Sequence, residues 1–347
     1  MSCSSNNKRL IYVDLIKIIA IIGVIFIHVS AEYWYKVPIT SNRWEAMNFW
    51  NAIGRCGVDI FVMCSGVLFL SKKELSYKDL FKKYIPRLLI AFITWTFIYS
   101  LIKADFNITQ SFLSLKKGLP RAHLWFLIMI IGIYLVLPII RIFIKNARKK
   151  DIEYFLLLFF IIQGTLPFLQ EFECFNWIKN YYKHIHPAMI TGYIGYFVLG
   201  YYLNEYKTSN KNKIIIVMLG AISIVATVLL NLNEARQLSK PTTVFFNNLY
   251  INIGLYSTAV FLIVKEFCDK VRFNEKSKKI ISKVGSLIFG VYLIHMIVKD
   301  ILNSYDVNSL MYNTYISIPT VSIIIFIISL GLTYIISKIP FVRRIVL

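Results

Sequence analysis

The sequence lacks the spacings by which cysteine builds metal or redox sites. Its five cysteines form no CxxC pair and no zinc-type spacing: Cys3, Cys56, Cys64, Cys174 and Cys268. Three of them fall in or beside apolar segments, where a cysteine is usually a small buried hydrophobe. We therefore predict no metal site, and the alternative for Cys64 is a role as an acyl-carrying nucleophile.

Long polar segments are also missing. No loop is long enough to be a soluble domain, and no internal or inverted repeat is apparent. The first apolar run is too long for the hydrophobic region of a cleavable signal, and no A-x-A site follows it. We therefore expect one domain over residues 1–347, built from helices and short loops, without an appended extracytoplasmic domain.

Apolar residues are abundant instead. They make up 57% of the 347 residues, and the mean hydropathy is +0.61. Soluble domains rarely contain so much apolar surface, and spanning-length apolar runs recur. We predict an all-α fold, a polytopic membrane bundle of about ten transmembrane helices. The predicted helices cover 10–30, 52–70, 85–102, 123–144, 152–169, 188–204, 213–231, 245–267, 283–303 and 313–337.

The formal net charge of +21 would suggest nucleic-acid binding in a soluble protein. Here the basic residues cluster in short loops, which favours topology and anionic lipid headgroups over nucleic acid. If the N-terminus is cytoplasmic, 24 of the 39 Lys and Arg lie inside, 11 outside and 4 within helices. This bias predicts both termini on the cytoplasmic side of a cell membrane.

The first apolar helix contains two ionisable residues, Lys17 and His28. They lie eleven residues apart, which separates them by roughly 16 Å along a helix axis. Ionisable groups are costly in hydrocarbon, so both are functional candidates. The alternatives are a lysine that reaches to the interface and a hydrogen-bonded core histidine.

Two polar clusters follow when the other intramembrane residues are placed by depth. The cytoplasmic half holds cations that suit phosphate: Lys17, Arg87 and Arg141, backed by Lys82 and Lys83. The outer half holds groups that suit proton transfer: His28, Arg55, Asp59, His123 and His295. The lower cations could instead be ordinary inside anchors, Arg55 and Asp59 a self-satisfied pair, and Trp125 an interfacial anchor.

Four segments in this order resemble acyltransferase family 3, whose membrane proteins acylate bacterial surface glycans. Lys17 and His28 are similar to its basic-x10-His motif, with lysine in place of the commoner arginine. The other three segments are GVDIFVMCSGVLFL, HLWFLIMIIGIYLVLP and GSLIFGVYLIH. The family's R-x-x-R is altered, because Tyr84 stands at the first position and Arg87 at the second, with Lys83 as a possible substitute. The chain resembles the stand-alone members that lack a hydrolase-like domain.

The resemblance implies acetyl-CoA as donor and a polysaccharide or lipid-linked glycan hydroxyl as acceptor. The catalytic candidates are His28 as general base, Asp59, His123 and His295. The donor-binding candidates are Lys17, Lys83, Arg87, Arg141, Trp125 and Tyr292. Arg55 and Ser65 are candidates to stabilise an oxyanion.

Two other functions remain open at this point. Relatives of the family have been described as transporters, although transport usually requires broken helices that the sequence does not show. A transferase that acts on the cytoplasmic side before export would use the same residues. In each case we expect a multi-pass protein of the bacterial cytoplasmic membrane.

Overall fold

The computed structural model describes residues 10–115, 118–182, 184 and 192–339. The regular structure in these residues is α-helix with short 3-10 and π-helical turns, joined by short irregular segments, and no strand occurs among them. The helices are α1 Ile11–Ser30, α2 Asn42–Gly54, α3 Cys56–Leu70, α4 Tyr77–Asp79, α5 Ile85–Lys103, α6 Ile108–Leu115, α7 Trp125–Asn146, α8 Lys149–Leu158, α9 Leu166–Leu169, α10 Ile178–Tyr182, α11 Ile194–Glu205, α12 Asn210–Gln237, α13 Ile251–Lys270, α14 Glu275–Ser304 and α15 Thr314–Ser337. The predicted all-α fold is therefore confirmed.

Nine helical segments in the described part of the chain are long and apolar enough to cross a membrane. They correspond to nine of the ten predicted spans. The one predicted span without such a counterpart is 188–204. It lies partly outside the described residues, and the helix found there, α11, has 12 residues. The second span is longer than predicted, because α2 and α3 together run from Asn42 to Leu70.

The chain divides into two compact units. The first comprises Met1–Cys64 with Thr208–Leu330, and the second comprises Ser65–Lys207 with Gly331–Leu347. In the first unit α1 packs on α14, α2 and α13, and α12 packs on α13 and α2. In the second unit α5 packs on α6 and α7, and α8 packs on α11.

Glycines bring α1 close to the α2–α3 segment. A Cβ atom on Gly54 would lie 2.4 Å from the carbonyl oxygen of Gly23, and one on Gly57 would lie 2.6 Å from that of Ala20. Small residues at such contacts let two membrane helices approach at backbone distance, where dispersion and weak polar contacts accumulate. The contact fixes Arg55, between these two glycines, beside the C-terminal half of α1.

Amide side chains link the remaining helices of the first unit. Asn231 of α12 donates from Nδ2 to Asn48 Oδ1 of α2 at 2.8 Å. Asn252 of α13 donates to Thr227 Oγ1 of α12 at 2.8 Å. All four side chains are buried. Hydrogen bonds between helices satisfy polar groups that water cannot reach, so they fix the order of α2, α12 and α13.

Candidate functional site

The N-terminal part of α1 holds the first candidate, Lys17. Its Nζ atom lies 3.5 Å from Asp14 Oδ1, one turn earlier on the same helix. The Asp14 side chain is 3% exposed and packs on α14, where a Cβ atom at Gly285 would lie 2.6 Å from Asp14. The Lys17 side chain keeps 23% of its exposure. The carboxylate therefore anchors the ammonium while leaving part of it accessible.

The C-terminal part of α1 places His28 beside His295 of α14. Their ring centroids are 5.3 Å apart, with the ring planes at 38°. His28 is half-buried and His295 is fully buried. The structure thus brings together two of the predicted catalytic residues, which are 267 positions apart in the sequence.

A main-chain carbonyl orients His295. Its Nδ1 lies 2.6 Å from the carbonyl oxygen of Tyr292, one turn earlier on α14. A carbonyl oxygen only accepts, so Nδ1 carries the hydrogen and donates it, and Nε2 of the neutral ring is the acceptor nitrogen. The ring of Tyr292 itself lies 6.0 Å from the imidazole, centroid to centroid.

An ion cluster lies one helical turn beyond this imidazole pair. Lys299 follows His295 by one turn and Glu32 follows His28 by one turn, and the two side chains form an ion pair. Lys299 Nζ is also 3.3 Å from Asp300 Oδ1. The Lys299 side chain is 8% exposed. The sequence did not indicate Lys299 as a candidate, and only its position in α14 reveals it as a buried cation.

Two neutral side chains, Tyr33 and Asn303, extend this ion cluster. Tyr33 donates its hydroxyl hydrogen to Asn303 Oδ1 at 2.8 Å, and Asn303 Nδ2 donates to Glu32 Oε1 at 3.4 Å. Hydrogen bonds thus continue the α1–α14 contact beyond the membrane-length part of α1. Sequence alone offers no signal for these pairs, because the partners are about 270 residues apart.

Asp59 is fully buried near the start of α3. It accepts hydrogen bonds from Ser257 Oγ at 2.8 Å and from Asn248 Nδ2 at 3.3 Å. Ser257 belongs to α13 and Asn248 to the segment before it, and nothing in the sequence pattern indicated either residue as a partner. The catalytic role of Asp59 stays a prediction.

Arg55 lies between α2 and α3. Its Nε and Nη2 both donate to Asn51 Oδ1, at 3.0 and 2.6 Å, and its guanidinium carbon lies 4.9 Å from the centre of the Phe246 ring. Asn51 in turn donates to Ser30 Oγ at 2.9 Å. This chain of contacts leads from the end of α1, two residues after His28, to the guanidinium. The role of Arg55 at an oxyanion stays a prediction.

In the second unit, the predicted donor-binding residues Lys83 and Arg87 are both exposed. They flank Tyr84, whose hydroxyl accepts a hydrogen bond from Lys72 Nζ at 3.0 Å. Lys72 and Lys83 also lie over the Tyr84 ring, at 4.8 and 5.6 Å from its centre. Tyr84, the residue that departs from the family pattern, therefore organises two neighbouring cations.

His123, Trp125 and Ser65 also belong to the second unit. His123 is buried in the 3-10 turn before α7 and meets the edge of the Tyr99 ring at 5.2 Å. Trp125 begins α7 and lies 5.5 Å from the Tyr193 ring. Ser65 shares a hydrogen bond with Tyr134. Their predicted roles stay predictions.

Arg141, the last of the predicted donor-binding residues, is 7% exposed and holds the end of α3. Its guanidinium donates to the carbonyl oxygen of Phe69 and to those of Lys72 and Lys73, at 2.8 and 3.3 Å for the last two. These carbonyls have no partner within the helix that ends there. Arg141 therefore has a structural task that the sequence pattern did not indicate.

A family model described as an acyltransferase domain matches residues 10–338. The match includes all four segments on which the sequence resemblance depends. A search of curated proteins and one of solved structures gave no match to this chain.

Proposed function

The chain belongs to this acyltransferase family, and on that premise we propose that it is a membrane O-acetyltransferase. In this proposal it moves an acetyl group from cytoplasmic acetyl-CoA to a hydroxyl of a cell-surface or exopolysaccharide sugar. The observation that supports it best is the imidazole pair of His28 and His295, whose ring centroids are 5.3 Å apart. His28 lies near the end of α1, the helix that also carries Lys17.

Lys17 is the proposed contact for the phosphates of the coenzyme. It is partly exposed, its ammonium is anchored by Asp14, and it precedes His28 by roughly 16 Å along α1. An extended pantetheine arm has a comparable reach, so the thioester would arrive near the imidazoles. Lys83 and Arg87 are proposed as further phosphate contacts because both are exposed cations. Trp125 and Tyr292 remain proposed contacts of the donor.

His28 is the proposed general base. It accepts the proton of the sugar hydroxyl while the hydroxyl oxygen attacks the thioester carbonyl. The tetrahedral intermediate then breaks its carbon–sulfur bond, and the imidazolium returns the proton to the leaving thiolate, which gives free coenzyme A and an acetyl ester. His295, whose Nε2 is its acceptor nitrogen, is the proposed second proton carrier. Arg55, Ser65 and His123 are the proposed donors to the oxyanion.

This scheme also makes proposals about location and partners. The protein would lie in the bacterial cytoplasmic membrane with both termini inside. The coenzyme would stay on the cytoplasmic side, and only the acetyl group would cross to a polysaccharide or a lipid-linked glycan. No metal takes part in the proposed reaction.

The catalytic residues are tested by transfer of labelled acetyl from acetyl-CoA in membranes that contain the full chain. We expect His28→Ala and His295→Ala each to lower the rate by a factor of about 10² or more, as loss of general acid–base catalysis does. His184→Ala is the matched control, because His184 is exposed and lies outside these contacts. Full activity of His28→Ala would contradict the proposed base.

The donor site is tested by the KM for acetyl-CoA. Lys17→Ala should raise this KM about tenfold, which corresponds to the ~1.4 kcal/mol of one charged contact. Lys211→Ala, at the exposed start of α12, is the control for a general loss of positive charge. An unchanged KM in Lys17→Ala would exclude the phosphate role. Glycan flux that does not depend on any acyl-CoA would instead favour a transporter.

A further inference from the structure

A cavity of about 210 Å³ lies in the second unit, between the segment that begins α4 and the last turns of α7. Its wall is largely apolar, formed by Leu75, Leu80, Pro138 and Ile142. Two cations, Arg141 and Lys145, line it from successive turns of α7, and no acidic residue is among the residues that line it in the described part of the chain. Such a cavity favours a ligand with an anionic head and an apolar remainder.

Main-chain carbonyl oxygens hold the guanidinium of Arg141 in place. Carbonyl oxygens of Phe69, Lys72 and Lys73 accept from its Nη1 and Nη2 atoms. These three bonds fix the plane of the fork without neutralising its charge, because carbonyls carry only partial charge. A fixed guanidinium binds phosphate with little loss of side-chain entropy.

Lys145 supplies a second, more exposed charge. It is exposed, and it follows Arg141 by one helical turn. Its side-chain ammonium forms no hydrogen bond or ion pair with any residue that the structure describes. It lies one residue from the end of α7, at the level where the headgroup region of a bilayer begins if α7 spans the membrane. The cavity therefore combines a buried, hydrogen-bonded cation and an exposed one.

The cavity also opens toward the lipid. Ile142 is 59% exposed and Tyr77 is 63% exposed, and both line it. Ile142 belongs to α7, a helix long and apolar enough to cross a membrane, so this exposed flank meets acyl chains. The volume is below the ~300–1,000 Å³ of pockets that enclose drug-sized ligands. A whole nucleotide is too large for it, whereas a phosphate with an adjoining acyl chain outside is not.

We propose that this cavity is a binding site for the phosphate of an anionic phospholipid, with Arg141 and Lys145 as its ligands and Ile142 against the acyl chains. The site is independent of the acetyl transfer proposed above. By the predicted topology it faces the cytoplasmic leaflet, where anionic lipids are attracted by basic residues close to the membrane.

The test uses the full chain in detergent, titrated with phosphatidylglycerol or phosphatidylcholine and followed by native mass spectrometry. We expect phosphatidylglycerol to be retained in preference to phosphatidylcholine, and Lys145→Gln to weaken its retention about tenfold. Lys103→Gln removes an exposed lysine at the end of α5, a helix that does not line the cavity, so it should leave retention unchanged. Equal retention of both lipids, or equal loss in both variants, would overturn the proposal.

A second variant separates shape from charge. Ile142→Trp keeps every charge but places an indole at the exposed mouth of the cavity, so we expect it to lower retention of phosphatidylglycerol while the protein still folds. Two competitors identify other sources of phosphate. Displacement of phosphatidylglycerol by inorganic phosphate at millimolar concentration, or by acetyl-CoA, would contradict a lipid site, and resistance to both would support it.

Discussion

The buried ion pair between Glu32 and Lys299 allows a quantitative prediction. Removing one partner of a fully buried pair costs about 3–5 kcal/mol, because the other charge is left without compensation. Lys299 is 8% exposed, whereas Glu32 keeps 24% of its exposure and is partly hydrated. We therefore expect Glu32→Gln and Lys299→Met each to lower the free energy of unfolding by about 2 kcal/mol, below the fully buried range.

The interaction itself is isolated by the double variant. If the two side chains meet in the folded protein, Glu32→Gln with Lys299→Met should cost less than the sum of the single changes, by a coupling of about 1–3 kcal/mol. The unfolding free energy in detergent is measurable by steric trapping. The control is the exposed pair Glu275 and Lys278, 2.8 Å apart on one helix, for which we expect little or no coupling because solvent and salt screen the two charges. Equal coupling in the two pairs would refute the reasoning.

Two further predictions concern packing in the first unit. Gly54→Ala should lower the unfolding free energy by about 1–3 kcal/mol, because its Cβ atom would meet the Gly23 carbonyl at 2.4 Å. Gly132→Ala, with no atom within 4 Å of its Cβ, is the control, and equal thermal shifts for the two would contradict the close contact. Ser257→Ala should cost about 1–3 kcal/mol, because it removes a hydrogen bond from the buried carboxylate of Asp59. An unchanged melting temperature would show that the carboxylate has another sufficient partner.

The family and the membrane architecture were predictable because their signals are local. Hydropathy over a spanning window indicates a membrane helix without reference to the rest of the chain. The four family segments are likewise contiguous in sequence. Nine of the ten predicted spans have a membrane-length counterpart in the structure, and the pair Lys17 and His28 lies on α1 as its spacing required.

Features that depend on polar helices were not predictable in the same way. Helix α2 begins at Asn42, ten residues before the predicted span, because its sequence NRWEAMNFWNAIG carries too little apolar character for a hydropathy window. Its buried amides, Asn48 and Asn51, find partners on α12 and α1. A helix with a buried polar face has the same composition as a loop. Only the hydrogen-bond partners of its polar side chains distinguish such a helix from a loop.

Contacts between residues far apart in the sequence were not predictable, for a related reason. Lys299 lies near the end of an apolar segment, where sequence reasoning places a lysine in the interface. Its partner Glu32 is 267 residues away, and no periodicity connects the two. The same holds for Asp59, whose partners Ser257 and Asn248 belong to α13 and the segment before it. The three carbonyl partners of Arg141 were not predictable either, because main-chain acceptors leave no mark in the sequence pattern.

The hydrogen bond from His295 to the carbonyl oxygen of Tyr292 has a genetic consequence. In many enzymes a carboxylate side chain determines which ring nitrogen is protonated, so one codon change can abolish that control. Here the acceptor belongs to the peptide backbone, which every amino acid at position 292 supplies as long as the helix persists. A substitution at position 292 therefore leaves the tautomer of His295 unchanged, unless it distorts α14 and removes the hydrogen bond.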